Sequence, residues 1–466
     1  MTEPTTAPWD AEVLRKALRS TFDSGRTRPV EWRKAQLAGL RRMMEEGEEE
    51  LVEALRVDLG RPRTEAYAAD IGHTKGELRH LESHVAGWMR PKKVSVPWTV
   101  APAKAAIHTE PLGVALIIAP WNYPIQLLIE PMAAAIAAGN CVVAKPSELA
   151  PACSAAMARL LPRYVDTEAI VLVEGGVEET TDLLAQQWDH IFFTGSTAVG
   201  HVVAEAAAKH LTPTVLELGG KSPTYVHASA DLTVAARRIA WGKFLNAGQT
   251  CIAPDYILVD RQVKDAFVDK LVAQIGAFYG ADPKASSSLG RIINDRHVQR
   301  LQGLLDAGAG TVVAGGQVDR EARYVAPTIT VDPHPESPVM QEEIFGPVLP
   351  VLAVDGPDEA KAFISARPKP LALYVFASED EVVDSIVGTV SSGGACINQT
   401  LMHLLPPDLP FGGVGASGSG SYHGRSGYDA FSHHKSVLRK PTRPDLKLLY
   451  PPYKPRIEKL VRRILR

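Results

Sequence analysis

Two side chains in the segment 212–255 can carry out covalent chemistry together. Glu217 ends a short run of β-branched and aliphatic residues just before a pair of glycines, and Cys251 lies in a turn-rich stretch after a helical pattern. A thiolate is a strong nucleophile, and a nearby carboxylate can remove a proton from the thiol or from water. The pair therefore predicts base-assisted thiol catalysis, and the rest of the chain is expected to bring a substrate and a cofactor to it.

The composition is that of a globular protein without a strongly charged surface. A chain of 466 residues is too long for one simple core and predicts two or three domains. The net charge of −3 argues against nucleic acid as a partner, and no apolar stretch approaches the ~20 residues that span a bilayer. The first residues lack a secretory signal, and the four well-separated cysteines indicate reduced thiols. The cytoplasm is the expected compartment.

From residue 112 to residue 219 the chain alternates between short β-rich runs and helical patterns. Such an alternation predicts a parallel sheet covered by helices on both faces, with ligands bound beyond the carboxyl ends of the strands. The expected strands are Val114–Ile118, Cys141–Ala144, Ile170–Val173, Ile191–Phe193 and Thr214–Leu216. The expected helices are Gln126–Ala138 with an interruption at Pro131, Ala152–Leu161, Glu178–Gln187 and Val199–His210. Polar residues follow the strands, and Glu217 comes after the last of them.

A second α/β alternation follows Ser222. Its helical patterns cover Leu232–Leu245 and Val263–Phe278. Its strand-like runs are Tyr256–Val259, Val325–Val331, Val348–Ala353, Ala372–Phe376 and Ala395–Asn398. The pattern predicts a second parallel sheet, so that two such units make up most of the chain.

The cofactor motifs are weak when each is taken alone. The segment Gly195–Gly200 joins a strand to a helix, and the free N–H groups of that helix can bind a pyrophosphate or simply form a tightly packed helix cap. Lys145 and Glu148 can hydrogen-bond a ribose or form a surface ion pair. The run that begins at Gly219 lacks the upstream glycine of a P-loop, which argues against nucleotide-triphosphate hydrolysis.

Three peripheral features carry further hypotheses. His80 and His84 share a helix face, but no third ligand is evident, so no metal site is predicted. The alternating, proline-containing stretch 91–111 predicts an extended arm or edge hairpin that packs on another domain or subunit. The basic tail 456–466 predicts a short amphipathic helix, which docks on the protein itself or contacts a membrane surface weakly.

Seven motifs in order resemble those of the aldehyde dehydrogenase family, and together they cover nearly the whole chain. The motifs are Pro120-Trp-Asn-Tyr-Pro124, Lys145-Pro-Ser-Glu148, Thr194-Gly-Ser-Thr-Ala-Val-Gly200, Leu216-Glu-Leu-Gly-Gly-Lys-Ser-Pro223, Gly248-Gln-Thr-Cys-Ile-Ala-Pro254, Glu342-Glu-Ile-Phe-Gly-Pro347 and Pro410-Phe-Gly-Gly-Val-Gly415. The context of Cys251 and the segment 420–424 are similar to the class 3 branch, which includes fatty and aromatic aldehyde dehydrogenases.

The resemblance implies a role for each catalytic residue. Cys251 would attack the aldehyde to form a thiohemiacetal, which becomes a thioester after hydride transfer to the cofactor. The Asn122 amide and the Cys251 N–H would stabilise the oxyanion. Glu217 would activate the water that hydrolyses the thioester. A CoA-acylating enzyme on the same fold and a non-catalytic ligand-binding protein are the alternatives.

The resemblance also implies a binding site for NAD, with NADP as a second candidate. Lys145 and Glu148 would hold the adenosine ribose, Ser196 the pyrophosphate, and Glu343 the nicotinamide ribose beside Phe345. Further implied cofactor-binding residues are Thr194, Gly195, Gly200 and Leu218. Glu148 would repel a 2′-phosphate, which favours NAD. Walls of the substrate tunnel are expected at Tyr67, Trp241 and 402–405.

The implied fold is α/β and aldehyde dehydrogenase-like, with two doubly wound parallel-sheet domains and an oligomerisation arm. Residues 1–92 and 112–219 would form the cofactor-binding domain and residues 220–407 the catalytic domain. Residues 93–111 and 408–441 would form the arm, and residues 442–466 the tail. The arm would add a strand to a neighbouring subunit, so that a homodimer acting on a small aldehyde is expected.

Overall fold

The computed structural model describes residues 10–445 and 450–464. Its strands are β1 Lys92–Val94, β2 Lys104–Pro111, β3 Val114–Ile118, β4 Cys141–Lys145, β5 Ile170–Leu172, β6 His190–Gly195, β7 Thr214–Leu218, β8 Pro223–Val226, β9 Tyr256–Asp260, β10 Thr311–Ala314, β11 Val318–Asp319, β12 Tyr324–Val325, β13 Thr328–Val331, β14 Val348–Val354, β15 Ala372–Phe376, β16 Gly394–Ile397, β17 Gly418–Ser419 and β18 Ser432–Arg439.

The helices alternate with these strands over most of the chain. They are α1 Ala11–Asp23, α2 Val30–Glu46, α3 Glu48–Leu59, α4 Arg63–Glu65, α5 His73–Trp88, α6 Gln126–Ala138, α7 Pro151–Leu160, α8 Val177–Leu184, α9 Thr197–Ala208, α10 Leu232–Phe244, α11 Lys264–Tyr279, α12 Asp295–Asp306, α13 Pro338–Gln341, α14 Pro357–Ser365, α15 Asp380–Thr389, α16 Gly424–Ala430 and α17 Pro455–Ile464. A π-helical segment, Ala66–Gly72, joins α4 to α5. No helix of the described residues is long and apolar enough to cross a membrane.

The first sheet has the strand order β17-β7-β6-β3-β4-β5 and is parallel except for β17. All five residues of β3 are buried, as expected for a strand covered on both faces. The predicted position of Glu217 after the strand is wrong: β7 continues to Leu218 because β17, from far along the chain, pairs with Leu216 and Glu217. The predicted interruption at Pro131 is also wrong, because α6 is buried along its length and this packing outweighs one missing hydrogen bond.

The second sheet has the order β10-β13-β14-β9-β8-β15-β16 and is parallel except for β10. The predicted α/β fold with two doubly wound sheets is thereby confirmed. The strand expected over Val325–Val331 divides into β12 and β13, and Pro327, which lacks an N–H donor, lies between them. The strand β8 was not predicted.

A small antiparallel sheet with the order β1-β2-β18 contains the predicted edge hairpin, formed by β1 and β2. The strand β18 forms one edge of this sheet, and all of its residues after Ser432 are exposed. The glycine-rich segment before β18 is ordered, because Tyr422, Tyr428 and Phe431 are buried in the core around the first sheet. The predicted tail helix is α17, and Leu465 of its predicted apolar face lies outside the described residues.

Candidate active site

The loop that carries Cys251 has an unusual backbone that fixes its shape. Asn246, Ala247 and Gly248 are left-handed, with φ of 51°, 52° and 76°. Such values are strained for alanine, so neighbouring contacts must hold the turn. The Asn246 side-chain N–H groups donate to the carbonyls of Asn122 at 2.9 Å and Gln249 at 3.1 Å. The turn is thereby tied to the loop after β3, which belongs to the other sheet.

Cys251 is partly buried, and its thiol has two carboxyl groups nearby. Burial, together with the nearby Glu343 and Glu217 carboxyls, raises the pKa of Cys251 to about 12. Backbone N–H groups around the sulfur lower that pKa in part. The thiol is therefore protonated at neutral pH, and it needs a base to become a nucleophile. The thiol pKa values of Cys141, Cys153 and Cys396 are also raised, mainly by burial.

Glu217 is part of β7, where its backbone pairs with Thr194 on one side and Gly418 on the other. Its side chain is buried, and neither carboxylate oxygen has a hydrogen-bond partner among the described residues. Burial raises its pKa well above the ordinary value for glutamate. A carboxylate in such surroundings accepts a proton more readily than an exposed one, which suits a general base.

Asn122 follows β3 and comes shortly before α6. It is buried, and its side-chain amide donates to the carbonyl of Gln249 at 3.1 Å. Gln249 is two residues before Cys251, so this bond places the amide beside the cysteine loop. The neighbouring Tyr123 hydroxyl lies 2.6 Å from the Thr250 hydroxyl and adds a second link between the two loops. An amide so placed can donate to an oxygen that develops negative charge.

The N-terminus of α9 is a capped helix end. Ser196 is its N-cap, and the Ser196 Oγ accepts from the Val199 N–H at 3.4 Å. A Cβ atom on Gly200 would lie 2.6 Å from a methyl group of Leu218, so glycine permits the close helix–strand approach here. The Thr194 hydroxyl is buried without a hydrogen-bond partner among the described residues. Both hypotheses for this motif, the helix cap and the ligand site, fit the same geometry.

Lys145 and Glu148 form an ion pair with 2.9 Å between Nζ and Oε2. The Lys145 side chain is 3% exposed, whereas that of Glu148 is 44% exposed. The pair lies beyond the carboxyl end of β4, at the edge where ligands of such sheets bind. The two residues thus form an ion pair, but its lysine is buried and only its carboxylate reaches the surface, where it can still accept hydrogen bonds from a ligand.

The loop that carries Glu343 is held by charged side chains on both sides. The Lys221 Nζ donates to the carbonyls of Val339 and Glu342 at 2.8 Å each, and the Arg300 guanidinium donates to the Glu343 carbonyl at 3.1 Å. Burial and the nearby Asp255 raise the pKa of the Glu343 carboxyl to about 8.

Glu343 also packs closely against Gly219, the residue that follows β7. A side chain on Gly219 would overlap the Glu343 carboxylate, so the glycine makes room for the acid. Phe345 has a left-handed φ of 47° and meets the Trp121 ring nearly edge-on at 5.3 Å between centroids. The loop thus brings one acid and one aromatic ring to the same cavity.

Most of the predicted site residues line one cavity of about 590 Å³. Its lining includes nine predicted residues: Asn122, Thr194, Gly195, Ser196, Glu217, Leu218, Cys251, Glu343 and Phe345. Lys145, Glu148 and Gly200 lie outside it. The expected tunnel walls Trp241, Met402, Leu404 and Leu405 also line it. Tyr67 does not; it is 43% exposed.

Sequence reasoning missed several lining residues. Glu65 and His73 lie in one stretch of helix and face the cavity, as do His297 and Arg300 of α12. The Glu65 pKa is raised to about 7, mainly by burial, whereas the nearby Glu130 raises that of His73 to about 9 despite burial. Residues 65, 69 and 73 recur every four positions, but nothing in the sequence marks that helix face as the wall of a cavity.

Comparison with known proteins gives consistent results. A sequence model described as "Aldehyde dehydrogenase family" matches residues 4–437. The chain is 49% identical over 425 residues to the dimeric NADP-preferring aldehyde dehydrogenase of Rattus norvegicus, covering 91% of this chain and 93% of the relative. It is 47% identical to human aldehyde dehydrogenase family 3 member B1, with 96% and 95% covered. The substrate-bound structure of Staphylococcus aureus AldH superposes with a TM-score of 0.96 at 43% identity, with 98% and 100% covered.

Proposed function

The chain belongs to the aldehyde dehydrogenase family, as a class 3-like, NAD(P)-dependent enzyme that oxidises aldehydes, and we propose that it does so by hydrolytic catalysis at Cys251. In this proposal the product is the free carboxylic acid. The observation that carries it is that the Cys251 thiol, the Asn122 amide and the buried Glu217 carboxyl group line one cavity, and that this carboxyl group has no hydrogen-bond partner among the described residues.

The first chemical step forms a carbon–sulfur bond. Ionised Glu217 takes the proton from the Cys251 thiol, and the thiolate adds to the aldehyde carbon to give a thiohemiacetal. The carbonyl oxygen gains the negative charge as its double bond opens. Asn122 donates its side-chain N–H to that oxygen, together with the Cys251 backbone N–H. Each such donor contributes about 3 kcal/mol to stabilising the transition state.

The residues around the α9 N-terminus fit a nicotinamide dinucleotide. The orphaned Thr194 hydroxyl, the capped helix end at Ser196 and the orphaned Glu343 oxygen supply donors and acceptors for phosphate and ribose groups. Lys145 and Glu148 supply a cation and an acceptor for the second ribose. When bound, the cofactor supplies the hydride acceptor that turns the thiohemiacetal into a thioester. Gly200 and Leu218 support this cradle through their close packing.

Hydrolysis then releases the product. Glu217 first releases the proton of the thiol to solvent and then removes a proton from water. The hydroxide adds to the thioester carbon, and the carbon–sulfur bond breaks as the Cys251 thiolate leaves and takes the proton back from Glu217. A base for water is what separates this reaction from acyl transfer to CoA. The burial of Glu217 without a partner supports hydrolysis over the CoA-acylating alternative. The retention of nucleophile, base and amide in one cavity likewise disfavours a purely ligand-binding role.

NAD is proposed as the preferred cofactor, with NADP as a second one. The Glu148 carboxylate accepts hydrogen bonds from ribose hydroxyls and repels a 2′-phosphate, which favours NAD. The rat relative is named NADP-preferring, which supports use of both.

A homodimer is proposed, with the small β1-β2-β18 sheet as the arm that joins the subunits. The outer edge of β18 has free backbone groups and exposed side chains, which suits pairing with a second copy. The rat relative is named as dimeric. Light scattering at micromolar concentration tests this; a monomer would contradict it.

The tail helix α17 is proposed to contact anionic membrane surfaces weakly. Leu460 is 44% exposed, and the same short helix carries the basic residues Arg456, Lys459, Arg462 and Arg463. Sedimentation with phosphatidylserine vesicles tests this. Binding that persists in the Leu460→Glu variant would contradict it.

The central experiment is cofactor reduction with a panel of short, long-chain and aromatic aldehydes, with NAD and NADP tested separately. Hydrolytic oxidation predicts turnover without CoA and release of the free acid. Turnover that requires added CoA would assign the acyl acceptor differently, and no reduction under any condition would contradict the proposed chemistry.

A further inference from the structure

Arg61 is a fully buried arginine that joins three separate segments of the chain. It lies between α3 and α4, and its guanidinium forms an ion pair with Asp70 and donates to the backbone carbonyl of Asn122. Its Nε donates to the side-chain oxygen of Asn246 at 3.2 Å. Every contact of the guanidinium therefore goes to the surroundings of the proposed active site.

The segments that Arg61 joins belong to different sheets. Asn122 extends from β3 of the first sheet, whereas Asn246 begins the turn that leads to Cys251 and then to β9 of the second sheet. The two asparagines and the Gln249 carbonyl are also linked directly, by hydrogen bonds of 2.9–3.1 Å. The guanidinium is thus one side of a closed polar ring that sets the Asn122 amide against the cysteine loop.

The guanidinium is itself held in a fixed orientation. One oxygen of Asp70 pairs with Arg61, and the other accepts the N–H groups of Ile125 at 3.2 Å and Gln126 at 3.0 Å, where α6 begins. The Tyr123 ring lies 4.6 Å from the guanidinium carbon. A planar fork of donors can meet an acid, a carbonyl and an amide at the same time, whereas a lysine ammonium is a point charge on a flexible stem.

We infer that Arg61 is a positioning residue that fixes the Asn122 amide relative to Cys251. The inference rests on the proposed function, in which Asn122 stabilises the oxyanion and Cys251 attacks. The nucleophile and the oxyanion donor lie on separate domains, so their spacing depends on a connection between the domains. A misplacement of about 1 Å at a reacting centre can reduce turnover about 100-fold.

The test compares Arg61→Lys with Arg33→Lys. Arg33 is a matched control because it is also buried and donates to backbone carbonyls, of Ala137 at 2.9 Å and Thr27 at 3.3 Å, away from the cysteine loop. We expect Arg61→Lys to lower kcat about 100-fold while the Kd for NAD changes less than about threefold. Arg33→Lys should lower kcat less than about threefold. Equal losses of kcat in the two folded variants would overturn the inference.

A double-mutant cycle shows whether Arg61 acts through Asn122. If it does, Arg61→Lys has little further effect on kcat in an Asn122→Ala background, whereas independent roles give losses that multiply. Multiplying losses would overturn the inference. If Asn122→Ala alone retains full kcat, the proposed oxyanion role is wrong, which is a separate failure.

A second variant covers the case in which Arg61→Lys does not fold. Asp70→Asn keeps the guanidinium and loosens its hold, and we expect about a tenfold lower kcat that likewise disappears in the Asn122→Ala background. An unchanged kcat in folded Asp70→Asn, or a loss that persists in that background, would overturn the inference.

Discussion

Glu217 and Glu343 face the same thiol from different sheets and in different electrostatic surroundings. Glu217 is part of a strand, and neither of its oxygens has a hydrogen-bond partner among the described residues. Glu343 is on a loop, and the Gly220 N–H, Lys221 and Arg300 near it each lower its pKa in part. Burial raises the pKa of both carboxyls, well above the ordinary range for Glu217 and to about 8 for Glu343.

This difference separates a proton carrier from a ligand-binding acid. A carboxyl group without fixed partners can turn towards water or the thiol and exchange a proton with either one. An acid with a backbone N–H and two cations nearby keeps its place more readily and suits the binding of hydroxyl groups. The comparison therefore supports the proposed acid–base role of Glu217 and the proposed role of Glu343 in cofactor binding.

The largest effect is expected from a substitution that removes the thiol near both acids. Cys251→Ala should reduce turnover by at least ~10³-fold, because no other side chain in the cavity can form the covalent intermediate. Affinity for NAD, measured by fluorescence quenching, should remain. Cys396→Ala is the control, since Cys396 lies in β16 and should be dispensable. Comparable steady-state activity in Cys251→Ala would contradict a covalent mechanism.

The two acids should respond differently to the same substitution. Glu217→Gln should give a burst of one NADH per site that is slower than in wild type, because the thiol has lost its base. It should then stall, with steady-state turnover about 10²–10⁴-fold lower, because the thioester is no longer hydrolysed. Glu343→Gln should mainly raise the KM for the cofactor and slow the burst. Rapid-mixing absorbance at 340 nm separates these outcomes.

An equal loss of burst and steady state in both variants would remove the distinction between the acids. Normal steady-state turnover in Glu217→Gln would remove Glu217 as the base for hydrolysis. Retention of the thiol is checked in each variant by labelling of Cys251.

The fold and most of the proposed site were predictable from local patterns and motif order. Asn122 could be placed from strand ends alone, whereas Glu343 could be assigned only through the family resemblance. The pairing of β17 with β7 was not predictable, because it joins residues about two hundred positions apart in the chain. The Arg61–Asp70 pair was missed for a similar reason: nothing local indicates that a helix-end arginine reaches the loops of both sheets.

The raised pKa of Glu343 predicts that the affinity for NAD depends on pH. The ionised carboxylate accepts hydrogen bonds from ribose hydroxyls, and a pKa of about 8 leaves only a minority ionised at pH 7. Affinity for NAD should therefore increase about tenfold between pH 7 and pH 9, in proportion to the ionised fraction. Titration calorimetry of wild type and Glu343→Gln tests this; the same pH dependence in both would contradict the assignment.

The raised pKa of Glu343 also predicts how the stability of the folded state changes with pH. The folded state holds the Glu343 proton more tightly than the unfolded chain. Binding of this proton therefore makes its full contribution to the free energy of unfolding below the pKa of the unfolded chain, near ~4.3. That contribution is lost as pH increases towards 8. The melting temperature of wild type relative to Glu343→Gln should therefore fall over this range, and a constant difference would contradict the raised pKa.

The smallest expected effect lies at the far end of the cofactor site, where the acid is exposed and paired with Lys145. Glu148→Gln removes a negative charge that opposes a 2′-phosphate, and a charge interaction near the surface is worth about 1 kcal/mol. The ratio of kcat/KM for NADP to that for NAD should rise about fivefold. Glu321→Gln, an exposed acid in the other domain, is the control. An unchanged ratio would mean that Glu148 does not face the ribose, and it would leave only the buried acids with a role in cofactor binding.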